Sequence, residues 1–268
     1  MVIHMNLVDY QTEKTKAIKK RFNWKKVVIL CGIVLLIIVL LILFLQLIWA
    51  HLQGTYIPSS PKMDLSSVLG TSPLTVEDYQ TLFLQTGLGK SAVDYLLEQG
   101  DAGKNEISTY QTAIYTKQKV HCSPIVSYFT CEDKLVDEAG NVINGPSPVD
   151  LREGDIILTL STHTLGWRHG HAGLVVDTAG GGEILECAVI GTDSSVFDAS
   201  KWWEYSNYAV IRIKNVTPEM QKAVVDFANA YLVGVPYHLT SGLIGEKAQD
   251  YDGKGFGMQC SYLVWYAW

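Results

Sequence analysis

The stretch Arg168-His169-Gly170-His171-Ala172-Gly173-Leu174-Val175-Val176-Asp177 decides the fold. Its apolar run from Ala172 to Val176 is short and bounded by Gly170 on one side and Thr178-Ala179-Gly180-Gly181-Gly182 on the other. That is the pattern of a buried strand running into a turn, with His171 at the strand's mouth. Residues 183–190 supply the second arm of the hairpin. Further out, residues 155–160 and 208–213 read as strands, and Val210-Ile211-Arg212-Ile213-Lys214 alternates as an antiparallel strand with one wet face should. Thr217 as N-cap, Pro218 in the first turn and Gly234 as a stop frame a helix. Met220, Val224, Phe227, Ala228 and Tyr231 form its apolar stripe. Residues 258–268, after Gly253-Lys254-Gly255-Phe256-Gly257, read as the start of a last helix. Residues 150–268 thus predict an α+β domain, a small antiparallel sheet packed by helices.

Upstream the texture is helical. Tyr79, Leu82, Phe83, Leu88, Val93, Leu96 and Leu97 recur at helical intervals, broken near Gly87 and Gly89, and predict two short helices over 75–99. Gly100-Asp101-Ala102-Gly103 reads as a stop, with a third helix over 105–118. Residues 74–149 are therefore expected to form a helical module with a structural or docking role. Residues 51–73, with Pro58, Pro61 and Pro73, read as a linker.

The 268 residues carry 21 Lys and Arg against 27 Asp and Glu, and the average hides an asymmetry. Residues 1–26 are basic (Lys14, Lys16, Lys19, Lys20, Arg21, Lys25, Lys26), residues 27–50 are uncharged, and the remainder is acidic. Val27 to Ala50 has Gln46 as its only clearly polar member and is long enough for a hydrocarbon core, which takes about 20 apolar residues. Trp24 and Trp49 bracket it, and the basic cluster holds the N-terminus in the cytoplasm. A cleaved signal peptide fits less well, because the run exceeds an ordinary h-region and Leu47-Ile48-Trp49-Ala50 lacks a small-x-small site. The expectation is a single-pass membrane protein with a cytoplasmic tail over 1–26, a transmembrane helix over 27–50 and an extracellular domain. No basic stripe marks a nucleic-acid partner. Outside the cell Cys122, Cys131, Cys187 and Cys260 meet oxidising conditions. Cys122 and Cys131 flank Pro124 to Thr130 either as a disulfide or as two thiols, and the lack of a C-x-x-C pair argues against a four-cysteine zinc site.

Three features carry chemistry. His171 titrates near neutrality and can take and return a proton. Cys260, in the first turn of the last helix, lies where unsatisfied N–H groups favour thiolate and can hold an oxyanion, with Gln259 as a side-chain donor. Glu186, inside the apolar Ile184-Leu185-Glu186-Cys187, is costly unless paired, and orienting an imidazole is one such pairing. If Asp177 pairs with Gly182, Gly173 opposes Glu186, and His171 and Glu186 become diagonal neighbours on one face; a slip of one residue presents Cys187 instead. Together the three make the nucleophile, base and orienter of a cysteine hydrolase. Two other readings stand beside it. His163, His169, His171 and Glu186 offer metal ligands, although alternation sets His169 and His171 on opposite faces. A binding ectodomain on a degenerate hydrolase fold is the other.

Gly154-Asp155-Ile156-Ile157-Leu158, Gly170 to Asp177, Ile184-Leu185-Glu186, Gly234-Val235-Pro236-Tyr237 and Cys260-Ser261-Tyr262-Leu263-Val264-Trp265 occur in that order. Over roughly 150–268 the chain resembles the circularly permuted papain-like NlpC-type hydrolases, the YiiX/YebB-like group, in which the histidine precedes the cysteine. The resemblance implies a papain-like fold, Cys260 as nucleophile, His171 as general base, Glu186 as orienter and Tyr237 as an aromatic near the site, with neither metal nor cofactor. It further implies a cysteine peptidase or amidase acting on bacterial cell-wall peptides, with hydrolysis or transfer of lipid acyl groups as the alternative. Family members continue past the cysteine helix, so the chain reads as truncated after Trp268. Gln259 stands where the family often has an aromatic residue.

Overall fold

The computed structural model describes residues 23–50, 54–56, 58–127, 130–242 and 257–268. Most of the basic tail and Gly253 to Phe256 lie outside the described residues. The chain divides into two compact units, Met1–Gln46 and Leu47–Trp268. Helix α1 (Trp24–Ala50) supplies nearly all of the described part of the first, continues past its limit at Gln46, and is long and apolar enough to span a membrane. Its described side chains are largely exposed.

The second unit begins with β1 (Gly54–Tyr56) and the helices α2 (Ser66–Leu69), α3 (Val76–Thr86), α4 (Lys90–Leu97) and α5 (Asp101–Tyr115). A capping box starts α3, where Thr75 accepts from the Asp78 N–H while the Asp78 carboxylate accepts from Thr75 N–H. Leu65, Leu82, Leu88, Val93, Leu96 and Ile107 form the core of this helical region. Helix α5 starts four residues earlier than the expected 105 because Gly103 belongs inside it. A Cβ there would lie 1.6 Å from the Leu96 carbonyl oxygen, so this glycine marks close helix contact and not a stop.

Two antiparallel sheets follow. In the first, the strand order is β1, β2 (Gln118–Ser127), β3 (Thr130–Val136), β5 (Thr162–Thr164), β6 (Trp167–Arg168). In the second it is β10 (Ala209–Ile211), β4 (Ile156–Thr159), β7 (His171–Asp177), β8 (Glu183–Glu186), β9 (Ser195–Asp198). The expected domain limits need correction on two counts. Pairing of β3 with β5 crosses the boundary at 149/150, so the helical region and residues 150–268 share one unit, and 74–149 is helical only as far as Tyr115. The stretch read as a linker carries β1, paired to β2, and the buried Leu65.

The second sheet is covered on both faces, which is why β7 reads as an unbroken apolar run. Ala172, Leu174, Val176 and Leu185 face α7 (Pro218–Phe227) and α8 (Cys260–Ala267), meeting Val225, Tyr262, Leu263 and Val264. Ile157, Val175 and Ile184 face the opposite way, against Trp202 and Trp203 of α6 (Ser200–Trp203) and against Tyr205. Each such buried side chain contributes about 1.5–3 kcal/mol over exposure. Thr217 caps α7 as expected, but the buried stripe is Val225, Ala228 and Leu232, while Met220 and Tyr231 are exposed. At the bottom of the sheet Arg212 grips the buried Asp155 through Nε at 2.8 Å and Nη2 at 2.7 Å.

Candidate active site

The strand pairing Leu174 with Leu185 sets the geometry. Continued by one residue it puts Gly173 opposite Glu186, which is the register expected from the sequence. Nearer the turn a bulge slips it, and Asp177 pairs with Glu183. His171, at the start of β7, and Glu186, at the end of β8, therefore share the face that looks toward Trp202. His171 donates from Nε2 to Glu186 Oε2 at 2.7 Å, and both side chains are buried. The second carboxylate oxygen accepts from Lys201 Nζ at 2.5 Å. The ring lies flat on Trp202, centroids 5.2 Å apart and planes 12° from parallel. Gly173 makes this stack feasible, since a Cβ there would lie 3.0 Å from Trp202 and 2.5 Å from Ile184.

Nε2 is committed, so Nδ1 is the ring nitrogen left to face the Cys260 thiol, which interacts electrostatically with the imidazole and donates to Gln259 Oε1 at 3.6 Å. Three local devices place that thiol. Gly257 has φ +64°, and a Cβ there would lie 2.8 Å from Pro236 O. Met258 N–H donates to Pro236 O at 2.8 Å, and His238 N–H donates to Met258 O at 2.9 Å, clamping 236–238 to the segment before the helix. Gln259 then caps α8, its Oε1 accepting from Ser261 N–H at 3.0 Å.

Electrostatics separate this cysteine from its neighbours. Burial raises the Cys260 pKa, but the imidazole and the backbone N–H groups of Ala172 and Ser261 outweigh it, and the thiol stays below its ordinary value. Burial lowers His171, but Cys260 and Glu186 push it up to about 9. Burial raises Glu186, whereas His171 and Lys201 pull it down to about 2. The three favour thiolate, imidazolium and carboxylate together. Cys187, one residue from Glu186, points into the opposite core, donates to Met258 O at 3.1 Å and is pushed up to about 12 by burial.

No protein-family model, curated protein or solved structure matches this chain.

Of the residues expected at the site, His171, Glu186 and Cys260 come together. Tyr237 pairs with Met258 in a parallel bridge and is half-buried; its pKa is pushed up to about 12 by burial and by the charges of Cys260 and Cys187. The Gln259 amide is folded back on its own helix, Nε2 donating to Ser261 Oγ at 2.8 Å, so in this structure it serves as a cap. The proposed histidine metal set is dispersed. His163 belongs to the first sheet and bonds Asp133, while His169 contacts Thr164 Oγ1 at 3.1 Å. Sequence reasoning missed Lys201 and Trp202. A usable signal did exist, because a glycine in the middle of an apolar strand implies that something large lies over it.

Proposed function

We propose that this chain is a membrane-anchored cysteine hydrolase that cleaves an amide or ester through an acyl-enzyme. The observation that carries the reading is the single imidazole shared between a buried, cation-backed carboxylate and a thiol at a helix N-terminus. Cys260 Sγ attacks the carbonyl carbon, and the carbonyl π electrons move to oxygen. The N–H of Cys260, left without an intrahelical partner in the first turn, is placed to receive that oxyanion. Collapse breaks the C–N or C–O bond, and His171 gives its Nδ1 proton to the leaving amine or alcohol. Water, deprotonated by His171, then attacks the thioester, releasing a carboxylic acid and returning the thiol–imidazole pair.

A papain-like, permuted NlpC-type fold belongs to the same reading, as do a cytoplasmic N-terminus and an extracellular domain with cell-wall peptides as substrate. The motif order and the basic residues before α1 support these points. A lipid acyl group is the second reading, favoured by exposed Leu160, which lies against Gly170 beside the histidine, and by exposed Leu239 close after Tyr237. The test is electrophile labelling of the full chain in detergent at near-neutral pH, read by peptide mass spectrometry. Cys260 is expected to react far faster than Cys187, and His171→Ala to suppress it. Equal rates at the two cysteines overturn the reading.

A further inference from the structure

A second histidine in this molecule sits among sulfurs. Cys131 of β3 pairs directly with His163 of β5, and Cys122 of β2 pairs directly with Asp133 of β3. Residues directly opposite in a sheet share a face, and Cys131 and Asp133 share one by alternation. All four side chains therefore project from the same side of three neighbouring strands. The Cys122 and Cys131 sulfurs and a ring nitrogen of His163 lie within 4.8 Å of one another, and all three residues are buried. His163 is 2% exposed. Its Nε2 donates to Asp133 Oδ1 at 3.0 Å, and Asp133 Oδ2 accepts from Arg168 at 2.5 Å. Its Nδ1 is buried and has no hydrogen-bond partner among the described residues.

A buried ring nitrogen left unsatisfied is costly, and a strand face crowded with two thiols offers it no strong donor. We propose that Cys122, Cys131 and His163 bind a zinc ion. Two sulfurs and an imidazole nitrogen are a set for a borderline-soft cation, and the carboxylate beside them, Asp133, is already engaged by His163 Nε2 and Arg168. A tetrahedral zinc holds its ligand atoms about 3.3–3.8 Å apart, so side-chain rotation closes the cluster around it. Asp133 completes the arrangement from outside, accepting from the histidine's other nitrogen and so fixing the tautomer that presents Nδ1. Each thiol loses one proton on binding. The two thiolates then balance the zinc, Asp133 balances Arg168, and the fourth corner is left for water. The ion joins β2, β3 and the three-residue β5, a clip on a sheet that has only short strands beyond it.

The experiment uses the full chain purified in detergent, once with and once without reductant. Metal content is read by mass spectrometry and the cobalt(II)-substituted form by absorption. One zinc per chain is expected, with a thiolate-to-cobalt charge-transfer band in the near ultraviolet. Cys260→Ser should keep both, which separates this site from the hydrolase reading. Asp133→Asn, which leaves every ligand in place, should weaken zinc binding about 10–100-fold. In the unaltered chain, zinc should protect Cys122 and Cys131 from a maleimide. A Cys122–Cys131 disulfide in protein isolated without reductant, no zinc bound by the reduced chain, or a cobalt band that survives Cys122→Ser with His163→Gln would each overturn the proposal.

Discussion

The two sheets carry the same chain of groups with opposite consequences. In the second sheet Lys201, Glu186, His171 and Cys260 follow one another; in the first, Arg168, Asp133 and His163 lead to Cys122 and Cys131. In both, a cation holds a carboxylate that holds an imidazole Nε2. The difference lies in what surrounds the sulfur. Cys260 begins a helix, is half-buried, and meets the His171 imidazole and the backbone N–H groups of Ala172 and Ser261, so its pKa falls despite burial. Cys122 and Cys131 sit fully buried between strands with no helix terminus, and burial pushes both thiols up. A cysteine–histidine–acid set is thus not by itself a nucleophile. Under the proposed reading, the imidazole contact, the helix end and the access to solvent together set Cys260 apart.

That contrast is open to attack by mutation, and the largest effect is expected at the sulfur itself. Cys260→Ser should abolish turnover and electrophile labelling, whereas Cys122→Ser should leave labelling at Cys260 within about twofold; peptide mapping after a short pulse reads both. His171→Ala should lower the hydrolysis rate about 10²–10⁴-fold, the usual worth of a positioned acid–base group, while His163→Gln should not change the rate constant of folded protein. Single-turnover kinetics make that comparison.

The pH profile sharpens it next. The productive pair needs Cys260 deprotonated and His171 protonated, so the rate should rise through the lowered thiol pKa and fall again near pH 9. Glu186→Gln should move the alkaline limb to lower pH. The same groups set stability. The Glu186 contribution is full above its unfolded value near 4.5 and is lost as pH falls toward about 2. The His171 contribution is full below about 6.5 and is lost as pH rises through about 9. Chemical denaturation across pH should show both losses. The smallest effect is expected from Gly173→Ala, where a methyl group pressed on Ile184 and Trp202 should cost about 1–3 kcal/mol, read as a lowered denaturation midpoint with a weakened His171 stack.

The hairpin of β7 and β8 was legible because apolar runs, a glycine-rich turn and one acid in register left few alternatives, and even the bulge disturbs only the turn end. The meeting of Cys260 with His171 was legible only as a requirement. It depends on Met258 bonding to Pro236 and His238, a tertiary contact that no local pattern encodes. The hairpin of β2 and β3 was not read at all. Its second arm holds Glu132, Asp133 and Lys134 in largely buried positions, a polar run that argues for a loop. Each is satisfied from far away in the chain: Tyr205 donates to Glu132, Arg168 to Asp133, and Lys134 Nζ lies 2.6 Å from Glu204. Burial of charge by distant partners is invisible to periodicity. The helix at residues 200–203 escaped for the same reason, since a single turn gives no repeat to detect.

Trp202, stacked flat on His171, has a consequence for observation as well as for packing. A protonated imidazole in face contact with an indole quenches its emission, and a neutral one does so far less. The chain therefore carries a built-in optical gauge of the charge on that ring. With Trp202→Phe as the blank, the difference in intrinsic fluorescence should brighten as the histidine gives up its proton, and should register substrate arrival without any added dye.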